Sequence, residues 1–364
     1  MCGIAGVIRL HGPEVSEETI TCMAHSIEHR GPDAIGLRID EGGAMANCRL
    51  SIIDVEHGQQ PAANEDQSVH VVFNGEIYNH TDLRRELEAE RHQLASHSDT
   101  EVLPHLYEEH GEQMLARLNG MFAFALQDTR SHRWLLARDR LGIKPLFYAH
   151  VDDRIYFGSE IKAILAASDV HFVVDEEAVE LYLSLRYLPA PWTMFKGIRR
   201  LPPGKALIVE ADGQIQEWAY WEPWRSPRSG DDVSVDVAAD QIRELLSDSV
   251  RLRLMSDVPF GAFLSGGLDS SGVVALMAQH MDEPVQTFSI GFSEESRVDE
   301  TTHARTVADH CGTRHREVDC TAERVDLLPK LLHHFDEPFA DPIIVPTHQV
   351  SELAREHVKV VLTG

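Results

Sequence analysis

A chain of 364 residues is long enough for two domains and too long for one compact core of ordinary size. With 33 Lys and Arg against 59 Asp and Glu the net charge is -26, which argues against a phosphate-gripping face, hence against nucleic acid, and against an anionic membrane surface. No apolar run approaches a membrane span and the N-terminus lacks the basic flank and long apolar core of a signal peptide, so a cytoplasmic enzyme is expected.

The chain opens on "MCGIAGVI", a cysteine directly behind the initiator methionine and then an apolar strand. On its own, Cys2 reads as a small buried hydrophobe. Residues up to about Trp224 read mainly as short strands: "GIAGVIRL", "AMANCRLSIID", "VHVVFNGEIY", "GMFAFALQD", "RWLLARD" and "RIYFGS", rich in β-branched and aromatic residues and closed by turn formers. Helical spacing of apolar residues predicts helices over Glu17–Glu28, Asp82–Arg91 and Thr100–Glu109. The pattern is α+β, with layers of antiparallel sheet and helices.

The stretch "WEPWRSPRSGDDVSVD" carries Pro, Ser, Gly and acidic residues without periodicity and reads as a linker. Three segments follow: residues 2–220, a linker over 221–236, and a second domain over 237–364. In the second, a helix over Val237–Arg253 leads to the strand "VPFGAFL". The helix "SSGVVALMAQH", the strand "VQTFSIGF", a helix over Val298–Cys311, a strand near Arg316 and a closing "VKVVLTG" come after it. Strands alternating with helices imply a doubly wound, mostly parallel α/β sheet.

Cys2, Cys22, Cys48, Cys311 and Cys320 are odd in number and lack CxxC spacing, so neither a disulfide framework nor a zinc site is expected. The 21 histidines follow no metal-ligand spacing and read mostly as surface residues.

Between strand and helix runs Ser265-Gly266-Gly267-Leu268-Asp269-Ser270-Ser271. Two glycines let backbone N–H groups approach an anion, the helix N-terminus adds partial positive charge, and the Ser265, Ser270 and Ser271 hydroxyls can donate. No Lys follows, so this is not a Walker A loop. A tight turn with Asp269 or Ser270 as N-cap is the plain reading.

"SGGLDSS" after an apolar strand resembles the pyrophosphate loop of ATP pyrophosphatases. With "MCGIAG", "HRGPD", "RLSIID", "FNGEIYN", "SDTE" and "RDRLGIKPLFY" in order, the chain resembles the glutamine-hydrolysing asparagine synthetase family over essentially its whole length. The resemblance implies an N-terminal-nucleophile glutaminase sandwich followed by an ATP-pyrophosphatase domain. Its substrates would be glutamine, ATP and a carboxylate acceptor, aspartate first among them, with Mg2+. A homodimer is left open.

By the same resemblance Cys2, freed of Met1, is the nucleophile, and its own α-amine is the base. Asn74 and Gly75 form the oxyanion hole; otherwise they read as an Asn-Gly turn. Arg49 pairs with the glutamine α-carboxylate, Asp99 with Glu76 nearby receives the α-amine, and backbone around Leu50 and Ile53 lines the pocket. Read alone, Arg49 is a solvated strand residue and Asp99 a helix N-cap. In the second domain Leu264 and Ile290 bracket adenosine, Ser265, Gly266, Gly267, Leu268, Asp269 and Ser270 hold the phosphates, Thr363 and Gly364 also touch ATP, and Asp269 holds the metal. "DEPFADP" resembles the acidic loop beside the acceptor pocket.

The family continues from "VVLTG" into a glycine-rich acidic loop, so the second domain is expected to be incomplete at its C-terminus. "ADPIIVPTHQV" is more apolar than the family's "ADPS…PT". An amidotransferase acting on another carboxylate therefore stays open, as does a non-catalytic interaction module. Cys2 counts against a β-lactam synthetase.

Overall fold

The computed structural model describes residues 1–167, 171–223, 233–292, 299–320 and 326–364. The chain divides into two compact units, Met1–Ser226 with Phe335–Phe339, and Pro227–His334 with Ala340–Gly364.

The first unit runs β1 (Gly3–Arg9), α1 (Glu17–Ser26), β2 (Ala34–Asp40), β3 (Gly43–Arg49), β4 (Ala62–Ala63), β5 (Val69–Ile77), α2 (His80–Ala89) and α3 (Val102–His110). It continues through β6 (Gly120–Asp128), β7 (Arg133–Arg138), β8 (Phe147–Val151), β9 (Arg154–Gly158), α4 (Ile161–Leu165), α5 (Glu176–Leu185), β10 (Ile198–Arg200), β11 (Lys205–Val209) and β12 (Ile215–Ala219). Two antiparallel six-stranded sheets result, ordered β10-β8-β9-β1-β3-β2 and β12-β11-β7-β6-β5-β4.

Strand alternation builds four layers. Ala5, Val7, Ala44, Ala46 and Cys48 point from the first sheet toward Ile20, Met23 and Ile27 of α1 and its surroundings and toward Ile161 and Ile164 of α4. Val71, Phe73 and Ile77 point from the second sheet toward Leu83 and Leu87 of α2 and Leu103 and Leu106 of α3. Between the sheets Ile4, Ile8 and Met45 meet Val72, Ala123, Ala125, Trp134 and Leu136. A fully buried aromatic such as Phe157 contributes about 1.5–3 kcal/mol to this layer. It lies so close to β1 that a Cβ on Gly6 would stand 2.2 Å from its ring. The expected sandwich of sheet and helix layers is what forms.

The second unit contains α6 (Val235–Arg253), β13 (Phe260–Phe263), α7 (Leu268–His280), β14 (Gln286–Gly291), α8 (Thr301–Cys311), β15 (Arg314–Asp319), α9 (Leu328–Phe335), α10 (Ile344–Arg355) and β16 (Val360–Leu362). Its strands pair in parallel in the order β15-β14-β13-β16. Ala262 and Leu264 pack with Val274, Met277 and Ala304 on one face, and Phe288 packs with Val350, Ala354 and Val358 on the other. This is the doubly wound arrangement that the alternating pattern predicts.

Several boundaries differ from expectation, among them those of α1 (ending at Ser26), α2 (His80–Ala89) and α3 (Val102–His110). Most of the expected linker falls on residues 224–232, outside the described residues, but α6 starts at Val235 because Ser234 caps it, its side chain accepting from Val237 N–H at 3.4 Å. Helix α7 starts at Leu268, with Gly267 rather than Asp269 or Ser270 as N-cap. Residues 293–298, including the expected start of the helix at Val298, also lie outside the described residues.

Candidate functional site

The period of two carries the core of the inter-sheet layer into chemistry at its end. On β3, Met45 faces the second sheet, so Asn47 and Arg49 share its face; on β5, Val72 faces the first sheet, so Asn74 and Glu76 follow it. Cys2, two residues before Ile4, has the same parity. The polar residues therefore replace apolar ones where the inner faces run out. Asn47 Nδ2 crosses between sheets to Phe73 O at 3.1 Å.

The Cys2 thiol is held by Leu50, whose N–H lies 3.4 Å from Sγ and whose carbonyl lies 3.7 Å from it. Arg30 Nε donates to the Cys2 carbonyl at 3.0 Å. Arg49, 5% exposed, fans its guanidinium over the loop that follows β3, donating to the carbonyls of Ile53, Asp54 and Val55 at 3.2, 2.6 and 3.1 Å. The strand ends at Arg49, short of the expected "LSIID" continuation, because those carbonyls turn back to it.

Asn74 is fully buried, and neither Oδ1 nor Nδ2 has a partner among the described residues. A buried amide left unbonded costs roughly 1–3 kcal/mol, which a ligand oxygen on Nδ2 offsets. Asn74-Gly75 is no turn: it lies inside β5, paired with Ala123 and Phe122 of β6. Gly75 is required there, since a Cβ would stand 2.3 Å from Met121 O. Asp99 is buried and takes the Ile77 N–H on Oδ2 at 2.9 Å; it ends β5 rather than capping α3, whose N-cap is Glu101.

Burial pushes the Cys2 thiol up, against the pull of the Leu50 N–H. Asp99 and Arg49 also act on that thiol electrostatically. Burial lifts Asp99 to about 6 in spite of the N–H groups of Ile77 and Thr100. A carboxylate so desolvated is matched to a cation. The α-amine of Met1 is pushed down to about 5, mainly by desolvation and further by Arg30 and Lys144.

Two residues inside the quoted motifs, Arg30 and Lys144, were not assigned from sequence. Asp139 folds the "RDRLGIKP" loop around itself by accepting N–H groups of Leu141, Ile143 and Lys144 at 3.1, 3.0 and 2.9 Å. That delivers Lys144, 5% exposed, with Nζ 3.2 Å from Met1 Sδ. Burial lowers its ammonium pKa. Arg30 Nη1 reaches Glu160 at 2.8 Å, and although desolvation opposes it, bonds from His29, Lys162 and Arg30 draw Glu160 down to about 2. The only signal in the sequence was their place within ordered motifs.

In the second unit the strand order reverses between β13 and β16, the place where open parallel sheets bind ligands beyond their carboxyl ends. Leu264, buried, leads into the loop there. Ser265 Oγ and Ser270 Oγ lie 3.0 Å apart, and Gly267 N–H donates to Ser265 Oγ at 3.2 Å. Gly266 has φ +83 and no room for a Cβ, which would meet Ala304 N at 2.6 Å. Leu268 and Asp269 are exposed in the first turn of α7, and Ile290 is half-buried on β14. Thr363 and Gly364 follow β16, and Gly364 approaches the Ser270 backbone so closely that a Cβ would stand 2.3 Å from its N. The helix N-terminus and hydroxyls suit phosphate, and the one carboxylate in the loop, Asp269, suits a magnesium ion shared with it.

Asp336 and Glu337 of "DEPFADP" fall within the first unit. Asp336 pairs with Lys162 at 2.9 Å and Glu337 with Arg200 at 2.6 Å. Among the described residues no helix is long and apolar enough to cross a membrane.

Residues 1–221 match the family model described as a glutamine amidotransferase domain, and residues 241–364 that of asparagine synthase. Asparagine synthetase [glutamine-hydrolyzing] 1 of Bacillus subtilis is 38% identical over 368 residues, covering 100% of this chain and 57% of that protein. A putative asparagine synthetase [glutamine-hydrolyzing] 2 of Methanocaldococcus jannaschii is 37% identical over 388 residues, covering 100% and 74%. The chain thus spans a little over half of the first relative and three quarters of the second. A solved structure of an allosteric regulatory enzyme of purine biosynthesis overlaps 100% of this chain and 89% of its own at 15% identity, with a TM-score of 0.48.

Proposed function

Because this chain belongs to the glutamine-hydrolysing asparagine synthetase family, we propose that its first unit releases ammonia from glutamine at Cys2 and its second uses ATP to activate the acceptor carboxylate. The observation that carries the reading is Asn74: a fully buried amide whose polar atoms have no partner among the described residues, on the same inner face as Cys2 and Arg49 by strand parity. Loss of Met1 frees the Cys2 α-amine in surroundings that keep an amine neutral, so it takes the thiol proton. The thiolate adds to the glutamine amide carbon, and the oxyanion is met by Asn74 Nδ2 and Gly75 N–H. Ammonia leaves with the proton returned by the amine, and water cleaves the thioester to glutamate. Arg49 receives the substrate α-carboxylate, within the backbone of Leu50 and Ile53. Asp99, with Glu76 nearby, receives its ammonium.

In the second unit the loop from Ser265 to Ser270 holds the ATP phosphates, Leu264, Ile290, Thr363 and Gly364 flank the nucleotide, and Asp269 holds Mg2+, which would neutralise phosphate charge. The acceptor, aspartate, attacks the α-phosphorus; pyrophosphate leaves, and ammonia displaces AMP from the acyl-adenylate to give asparagine. The net charge of -26 supports small-molecule partners rather than nucleic acid. A homodimer is the assembly to test first. Incubation with glutamine, ATP, Mg2+ and a panel of carboxylates tests the reading. Glutamate is expected from the first unit, and asparagine, AMP and pyrophosphate from the whole protein; ADP and phosphate as products would overturn the second half, and a fully active Cys2→Ala variant the first.

A further inference from the structure

The histidines that follow no spacing in the sequence are partly gathered by the fold. His105 and Glu108 lie one turn apart on α3, His92 lies in the turn beyond α2, and Glu65 lies between β4 and β5. One ligand atom from each of the four falls within 4.8 Å of the others.

The inner distances are narrower. His92 Nδ1 and His105 Nδ1 face each other at 3.2 Å. The Glu65 carboxylate lies 3.3 Å from His105 Nδ1 and 3.5 Å from His92 Nδ1. Ligand atoms around a tetrahedral zinc ion with bonds of about 2.05 Å are separated by about 3.3 Å. His92 Nε2 lies 2.9 Å from a Glu109 carboxylate oxygen, which only accepts, so Nε2 carries the hydrogen and neutral His92 presents a lone pair on Nδ1. A carboxylate behind the far nitrogen is the usual support of a metal-bound imidazole. His105 is fully buried, and its Nε2 has no partner among the described residues. Two facing imidazole nitrogens and a carboxylate are bridged either by a hydrogen on one ring nitrogen or by a metal ion.

We propose that Glu65, His92 and His105, with Glu108 as fourth ligand, bind a divalent transition metal of the zinc class in the first unit. Imidazole with carboxylate at tetrahedral spacing favours Zn2+ or Co2+ over Mg2+ and Ca2+. Glu108 is pre-oriented by Asn64 at 3.1 Å and Arg130 at 3.0 Å. Glu65 is held by Gln93 N–H at 2.6 Å. The ion clamps the loop before β5 and the turn after α2 to α3. The site carries no part of the glutamine chemistry.

The test is titration of the chelator-treated full chain with Co2+, read by visible absorption, then with Zn2+, read by melting temperature and by metal content after dialysis. Expected are one equivalent of Co2+ with the intense bands of a four-coordinate ion, their displacement by Zn2+, and a melting temperature raised by Zn2+ and restored by chelator. His92→Ala and Glu65→Gln should abolish the bands, and Glu109→Gln should weaken binding 10–100-fold. Glu65 is partly exposed and its Gln variant nearly isosteric, so that arm survives if His92→Ala does not fold. No stoichiometric Co2+ spectrum, or the same spectrum in Glu65→Gln, would overturn the proposal and leave a shared proton in its place.

Discussion

Cys2 and Leu50 engage each other twice, through the Leu50 N–H at 3.4 Å from Sγ and the Leu50 carbonyl at 3.7 Å. The carbonyl suits the protonated thiol; the N–H suits the thiolate that replaces it. One backbone unit therefore holds the sulfur in the same place on both sides of proton loss.

Cys2 should be the sole site of labelling by an electrophilic glutamine analogue, and intact mass should show Met1 removed. Cys22 is exposed and Cys48 is buried, its thiol pushed up to about 12 by desolvation, so neither matches a substrate-directed reagent. Cys2→Ala should abolish glutamate release while circular dichroism stays unchanged. Label on Cys22 with Cys2 untouched would contradict this.

Asn74→Ala should lower kcat for glutamine hydrolysis about 10²–10³-fold, the usual effect of losing one oxyanion donor. Its effect on stability should be small, because neither polar atom of the side chain bonds to the protein among the described residues. A large fall in melting temperature with kcat intact would show Asn74 to be structural.

Asp99 gives a pH dependence of defined sign. Its carboxyl lies at about 6 in the fold against 3.8 for the ordinary group, so the folded state holds its proton more tightly. The resulting cost is absent below about pH 4, grows as pH rises toward 6, and is full above it, at about 3 kcal/mol. Asp99→Asn should therefore raise the melting temperature at pH 7 and leave it unchanged near pH 4. The same variant should raise the KM for glutamine, and wild-type KM should climb as pH falls through about 6.

Gly266→Ala and Gly272→Ala should act in opposite directions. The first forces a Cβ at φ +83 against Ala304 N at 2.6 Å, costing at least ~1–2 kcal/mol and weakening ATP binding measured by calorimetry. The second adds a methyl group to the interior of α7 where nothing lies within 4 Å, and should stabilise by about 0.5–1 kcal/mol. Equal melting temperatures for the two would refute the strain argument.

Much of this was legible because apolar alternation is a local signal. The runs through Ile4, Met45 and Val72 mark strands by their own composition, and parity then fixes where Cys2, Arg49 and Asn74 face. β2 was missed because "AIGLRID" mixes Gly and charge and lies half-exposed at a sheet edge. Asn74-Gly75 looks locally like a turn; only pairing with β6 makes it strand interior. Lys144 depends on the bonds Asp139 makes to its own loop, and Glu65, His92 and His105 meet only when β4, α2 and α3 pack. No spacing along the chain encodes a meeting of that kind.

The nine consecutive pairs from Val69↔Asp128 to Ile77↔Gly120 carry a consequence for how this protein tolerates change. Deleting one residue between Val69 and Asn74 would turn Asn74 and Glu76 toward the helices and bring their apolar neighbours inward. Deleting two would restore the facing but slide the amide about 7 Å along the strand. Relatives that keep Asn74 and Glu76 on this face can thus exchange residues along β5 but should show neither insertions nor deletions there. Length variation should collect instead in the loops that bound it.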